Sequence, residues 1–449
     1  MTSFRFLHAA DLHLDSPLRG LEADAAAPAR RIRQASQVAL AALVDLAIRE
    51  GVAFVVLAGD LYDGDWQDWR TGQALVAALG RLTRAGIRVV AIRGNHDAES
   101  VLTRSLALPE GARLLAADQP ESLALPEHGV VLHGQSFATR DVRDNLARGY
   151  PAPVAGMLNI GLLHTAATGR DGHAGYAPCS IEQLARHGYG YWALGHVHER
   201  EELLRDPWIV FPGNLQGRHV NEAGAKGATL VTVRDGRVVA AEHRSLDAVR
   251  WARLEVDCSG AADEDAALDR VRAALGEAVD AAEGRLLAAR VTLRGPCAAH
   301  LALARDPAAT REKVRAAGLA VADPEALWVE AVRVATQPAA DLEALRARTD
   351  AVGRLARAIE ALGAALPEAP ADPAATPAGL ADDAAAAATS RVAAPVGAYA
   401  AAMLNRAGGL REALGDGHPA VLAAGGQLPP ELLRRARDLL LAELARGDG

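Results

Sequence analysis

Aromatic residues make up only 4% of this 449-residue chain while alanine is abundant, so the helices of its second half must pack through small side chains. Burial energy per residue there is correspondingly modest. Cysteine is nearly absent: Cys179, Cys258 and Cys297 are odd in number, far apart and without Cys-x-x-Cys spacing. A disulfide framework and a thiolate metal site are thereby excluded, and a reducing compartment is expected. No apolar run approaches the ~18 residues a membrane span needs, and the first residues run straight into a strand, leaving no room for a signal peptide. No membrane association and a cytoplasmic location are the expectations. No glycine-rich loop ends in Lys-Ser or Lys-Thr, so a P-loop is missing and any ATP hydrolysis must come from a partner. An excess of basic charge is missing too, since the net charge is −8. A broad basic face that coats nucleic acid is not written in this composition.

Five short runs in the first half carry the chemistry: Asp11-Leu12-His13, Gly59-Asp60-Leu61-Tyr62-Asp63, Gly94-Asn95-His96-Asp97, His164, and Gly195-His196-Val197-His198. Each follows an apolar stretch that reads as a strand, with Phe4–Leu7, Val52–Leu57 and Ile87–Ile92 preceding the first three. Short continuous apolar runs separated by helical stretches predict a sheet buried on both faces. In such α/β architectures polar ligands gather at the carboxyl ends of strands. Residues two apart on an extended segment point the same way, so Asp11 and His13 should share a face, as should His196 and His198. Any one of these runs alone is more often a satisfied polar pair or a solvated loop. Five in order, each at a strand end, are what a two-metal phosphoesterase needs.

The motifs resemble those of the calcineurin-like metallophosphoesterases, and within them the SbcD-type and YhaO-type DNA repair exonucleases. The run His8-Ala9-Ala10-Asp11-Leu12-His13-Leu14-Asp15-Ser16-Pro17-Leu18 looks like the YhaO-type opening, and Phe211-Pro212-Gly213-Asn214-Leu215-Gln216-Gly217-Arg218-His219 like the segment after the last metal motif. The likeness covers about residues 4 to 244. It implies one metal held by Asp11, His13, Asp60 and His198 and another by Asp60, Asn95, His164 and His196, with Asp60 bridging. A bridging carboxylate can neutralise two cations about 3.5–4 Å apart, and such a pair can clamp both reacting oxygens of a phosphodiester. The resemblance also implies that His96 acts on the phosphate or leaving group, with Asp97 orienting it as a carboxylate behind an imidazole. It favours manganese for the two divalent ions; by affinity order the ligands themselves leave zinc or iron open.

Arg218 and His219 are candidates for a phosphate contact, and Arg93, Arg140, Arg143 and Arg170 for the approach to it. Asp63 and Asp15 are read as close to the ligands or simply solvated, and His8 as a core residue. His128, His133, His173, His187, His243, His300 and His418 lack ligand spacing. Gly134-Gln135-Ser136-Phe137-Ala138 approaches a nucleophile elbow without its final glycine.

The expected fold is α/β: a two-sheet metallophosphoesterase sandwich flanked by helices over 1–250, a small α+β capping domain over 251–336, and a helical region over 337–449. A hairpin across Asp235-Gly236 should finish the catalytic sheet. From Arg253 the pattern runs strand, helix (264–282), strand (286–293), helix (310–317), strand (327–334). A helix follows over 341–362, an Ala/Pro/Asp-rich linker over 367–395 and a helix over 430–444 with proline at its first turn. By resemblance the chain is a metal-dependent DNA exo- or endonuclease whose partners are DNA and an SMC-like, SbcC-type ATPase docked on the tail helix, and a homodimer is allowed. The competing readings are a phosphomonoesterase or cyclic-nucleotide phosphodiesterase, which needs no cap or tail, and a non-catalytic DNA-end-binding scaffold.

Overall fold

The computed structural model describes residues 3–14, 16, 28–63, 69–98, 107–167, 176–339 and a few positions between 347 and 357. Asp15, Arg170, His173, His418, the linker and the tail helix lie outside them, as does nearly all of the expected 341–362 helix.

The apolar runs before the first three motifs form the expected strands β1 (Ser3–Ala9), β2 (Phe54–Ala58) and β3 (Arg88–Ile92), which pair in parallel, and β4 (Ala112–Leu114), outside those runs, extends them in parallel. The hairpin of β11 (Gly227–Arg234) and β12 (Arg237–Ser245) adds antiparallel to β1 and finishes this six-stranded sheet, as its turn dipeptide predicts. The second sheet also has six strands. β6 (Val130–Gly134), β7 (Leu158–His164), β8 (Tyr191–Gly195) and β10 (Trp208–Phe211) run parallel at its centre, and β5 (Glu121–Leu125) and β9 (Glu201–Arg205) pair antiparallel at its two edges.

Both faces of each sheet are covered, which is why the central strands read as continuous apolar runs rather than alternating ones. Phe6, Phe54, Val56, Val90 and Ile92 meet Leu132, Ile160, Leu162, Tyr191 and Val210 between the sheets. The opposite face, with Leu7, Val55, Leu57 and Val89, packs on α1 (Ala29–Glu50) and α2 (Trp69–Arg84) through Leu40, Leu43, Val44, Leu75, Leu79 and Leu82. Behind the second sheet, Leu163, Trp192, Leu194, Ile209 and Phe211 pack with Leu184 of α3 (Ile181–Arg186). Ser180 caps α3 by accepting the Gln183 amide at 3.1 Å, one of the orphan donors of a helix start. This is the two-sheet α/β sandwich flanked by helices that the sequence predicts.

After this come β13 (Val249–Asp257), α4 (Glu264–Ala281), β14 (Leu286–Cys297), α5 (His300–Arg305), α6 (Pro307–Leu319) and β15 (Leu327–Pro338), with β14 central in a three-stranded sheet. α6 starts earlier than periodicity suggests because Pro307 occupies its first turn and Asp306 accepts the Ala309 amide at 3.0 Å. Two compact units emerge: residues 1–253, 276–290 and 322–330 form one, and 254–275, 291–321 and 331–449 the other. In the first, Val249, Trp251, Leu286, Ala288 and Trp328 pack with Ile32, Ala35 and Val220. In the second, Leu275, Val291, Leu293, Leu303 and Val314 are buried. No described helix is long and apolar enough to cross a membrane.

Candidate metal centre

All five runs lie at strand ends, but the strands stop short of most ligands. β1 ends at Ala9 and β8 at Gly195, so Asp11, His13, His196 and His198 stand on the loops beyond. The expectation that strand alternation aims each pair therefore fails. Left-handed backbone does the aiming instead: φ is 52° at Asp11, 41° at His13, 50° at Asp60 and 103° at His196. Side-chain-bearing residues rarely adopt it, at a cost of about 1–3 kcal/mol each, and such strain persists only where the surroundings over-determine it. Here they do, since the amides of Asp11, His13 and Leu14 donate to the carbonyls of Gly59, Asp60 and Leu61 at 3.0–3.1 Å. Gly59, at φ 96°, is needed for a second reason: a Cβ there would lie 2.5 Å from His164 Nδ1.

The side chains converge as two groups of predicted ligands, and a third group joins His96 to His13 and Asp60. Asp11, His13 and His198 form the first and Asp60, His164 and His196 the second, the ligand atoms within each lying no more than 4.8 Å apart. His13 Nε2 is 3.0 Å from His198 Nε2, and Asp11 Oδ1 lies 4.0 and 3.8 Å from those two nitrogens. Asp60 Oδ2 stands between the groups, 3.8 Å from His13 Nε2 and 3.5 Å from His164 Nε2. Asn95 Oδ1 is 3.0 Å from His164 Nε2. All seven predicted ligands are thus brought together.

Hydrogen bonds made by the outer ring nitrogens leave bare ring nitrogens turned into the set. His164 Nδ1 donates to the Ala58 carbonyl at 2.9 Å, which turns a bare Nε2 toward the Asp60 carboxylate. His198 Nδ1 donates to Glu222 Oε1 at 2.7 Å, and its bare Nε2 faces His13. Burial holds the His13 pKa down to about 4 and that of His164 to about 3, so neither ring brings a positive charge to the set. Burial, and then the Asp60 charge, push the Asp11 carboxyl well above the usual carboxylate range. A buried set of imidazole nitrogens and carboxylate oxygens so short of positive charge fits divalent cations.

His96 stands beside this set, with its Nδ1 2.8 Å from Asp63 Oδ1. The carboxylate behind His96 is therefore Asp63, and the expectation that Asp97 orients it is corrected. Successive residues of a tight turn point apart, so Asp97 turns inward. There it accepts the amides of Leu61 at 2.9 Å, Tyr62 at 2.8 Å and Gly94 at 3.3 Å, tying the Asp60 loop to the Asn95 turn. Burial, and then Asp60, push its carboxyl up to about 7. Burial works to raise Asp63 as well, but hydrogen bonds with His13, His96 and Ser16 outweigh it and hold that carboxyl well below its ordinary value.

Arg218 comes close to the site but faces carboxylates. Its Nη2 donates to Glu222 Oε1 at 2.8 Å and its Nη1 lies 3.3 Å from Asp63 Oδ2. His219, 56% exposed at its side chain, lies with Nε2 3.8 Å from Glu222 Oε1 and accepts the Asn221 amide at the start of a 3-10 turn. Arg140 and Arg143 are exposed and Arg93 is half-buried. His8 is a core residue as expected, with ring nitrogens 3.0 Å from the Tyr191 hydroxyl and 3.1 Å from the Leu194 carbonyl. Ser136, at the near-elbow, donates to the Leu115 carbonyl and accepts the Arg93 amide, a structural role. Glu222 was not legible in the sequence. No spacing rule ties it to His198, and only its place four residues after Arg218 could have drawn attention.

Residues 4–200 match the family model of the calcineurin-like phosphoesterases, and residues 251–337 that of the metallophosphoesterase YhaO middle domain. Uncharacterized metallophosphoesterase YhaO of Bacillus subtilis is 34% identical over 265 residues, covering 58% of this chain and 65% of its own. DNA double-strand break repair protein Mre11 of Sulfurisphaera tokodaii is 27% identical over 205 residues, 42% of this chain and 51% of that one. The matches thus span half to about two thirds of these relatives' length. A dimetal phosphatase from Danio rerio superposes on 52% of this chain and 93% of its own with a TM-score of 0.31 and 14% identity, too loose a likeness to bear on function. Residues 4–200, which carry all seven candidate ligands, are thus similar to a calcineurin-like phosphoesterase domain.

Proposed function

We propose that this chain is a two-metal DNA nuclease that hydrolyses phosphodiester bonds, with manganese as the working ion. One observation carries the two-metal reading: Asp60 Oδ2 lies within 3.8 Å of a ring nitrogen in each of the two ligand groups. Asp11, His13, Asp60 and His198 would hold one cation, and Asp60, Asn95, His164 and His196 the other. When bound, such a pair supplies charge to polarise the phosphoryl oxygens and to lower the pKa of an attacking water.

The chain's own residues do the rest. Asp60 also accepts the His96 amide through Oδ1 at 2.9 Å, so the bridging carboxylate fixes the turn that presents His96. Burial lowers the pKa of the His96 imidazole, but Asp63 and the Asp60 charge together outweigh it and the net shift is upward. With its side chain 30% exposed, His96 is placed to give a proton at Nε2 to the leaving oxygen. A DNA substrate is supported by the likeness to the DNA double-strand break repair protein Mre11. An SMC-like ATPase partner belongs to the proposal through the motif resemblance alone.

The test is manganese-dependent degradation of labelled linear double- and single-stranded DNA by the purified chain, beside a His96→Ala variant and p-nitrophenyl phosphate. DNA cleavage that needs metal and falls roughly 10²-fold or more in the variant supports the reading. Turnover of the monoester with DNA left intact, in the presence and absence of the ATPase, points to the small-molecule branch instead.

A further inference from the structure

Glu222 is 7% exposed at its side chain, yet it is a full carboxylate among donors. Its Oε1 accepts His198 Nδ1 at 2.7 Å and Arg218 Nη2 at 2.8 Å; its Oε2 accepts the Arg218 amide at 2.8 Å and Asn214 Nδ2 at 2.9 Å. Arg218 continues the line, with Nη1 3.3 Å from Asp63 Oδ2, while the other oxygen of Asp63 lies 2.8 Å from His96 Nδ1. One planar guanidinium thus spans two carboxylates, and each carboxylate stands behind a different histidine.

We infer that Arg218 and Glu222 are positioning residues that lock His198 as a metal ligand and Asp63 behind His96, joining the two into one rigid unit. The inference rests on the proposal that His198 holds a cation. A histidine ligand whose second nitrogen donates to a carboxylate is fixed in tautomer and orientation, and its basicity rises. The fork geometry of arginine is what lets one side chain serve Glu222 and Asp63 together, and the point charge of lysine cannot do so. Both Nη groups and Nε of Arg218 reach carboxylates, which sets this role apart from that of a residue whose contact is the substrate alone.

Calorimetric titration of the metal-free full chain with manganese(II) chloride is the test, on wild type, Glu222→Gln and Arg218→Lys. Wild type takes up two equivalents. Each variant should bind one of them about 10- to 100-fold more weakly and the other near its wild-type affinity. A general loss of stability would not single out one ion of the two. Should Glu222→Gln fail to fold, Arg218→Lys carries the test alone, because that side chain is 20% exposed and keeps its charge. Two unchanged affinities, together with a raised KM and weaker inhibition by inorganic phosphate, would make Arg218 a substrate contact and overturn the inference while leaving the metal reading intact. A wild-type chain that binds no manganese overturns both.

Discussion

Asp63, three residues beyond Asp60, and not Asp97, the immediate neighbour of His96, places its carboxylate 2.8 Å from the His96 ring. The two aspartates differ in task because they differ in what they accept: Asp63 takes side chains at the site and Asp97 takes three backbone amides beneath it.

Asp63→Asn should therefore lower kcat by roughly 10²-fold, since it disturbs a proton-transfer group. Asp97→Ala should instead lose about 1–3 kcal/mol of stability for each amide left unsatisfied in the interior. Turnover of a phosphodiester and urea unfolding, measured on both variants, separate the effects. Loss of turnover at full stability in Asp97→Ala would return that residue to the mechanism.

Removing the carboxylate between the two ligand groups should empty both. Elemental analysis after dialysis is expected to show about two manganese ions per wild-type chain, none in Asp60→Ala, and one retained in Asn95→Ala, whose amide reaches His164 alone. Chelation by EDTA should abolish hydrolysis and added manganese restore it. A full complement of metal in Asp60→Ala would remove the bridge.

Acid should weaken the fold through His8. Burial lowers its pKa to about 3 from 6.5, so the unfolded chain takes a proton that the folded one refuses. This contribution to stability is complete above pH 6.5 and is lost as pH falls from there toward 3, at up to ~1.4 kcal/mol per pH unit. Urea unfolding of the metal-free protein at several pH values should show a shallower slope for His8→Gln. Equal slopes would mean that His8 is not the group responsible.

Gly161 marks where β7 meets the fully buried Trp192, whose ring would collide with any Cβ added there. Gly161→Val should cost about 1–3 kcal/mol or more by overpacking, read as a lower urea midpoint at an unchanged m-value. An unchanged midpoint would show that Trp192 can move aside.

The sequence by itself determined the strands that lead into the polar runs, the order of those five runs and the hairpin that closes the first sheet, because these are local patterns. Apolar runs such as Phe54–Ala58 are buried on both faces, and Asp235-Gly236 supplies the turn at φ 49° and 73° without help from distant residues. Helix starts were less legible: α6 begins where Asp306 and Pro307 place it, ahead of the periodic stretch.

What tertiary structure alone decided is how the polar side chains are aimed and who stands behind them. Asp11, His13, Asp60 and His196 take left-handed backbone that no strand period predicts, held by bonds between loops far apart in the chain. Glu222 reaches His198 across 24 residues, and Arg218 reaches Asp63 across 155. Such pairings depend on sheet order and loop packing rather than on spacing, because a buried charge finds its partner in space, after the chain has folded, and not along the sequence.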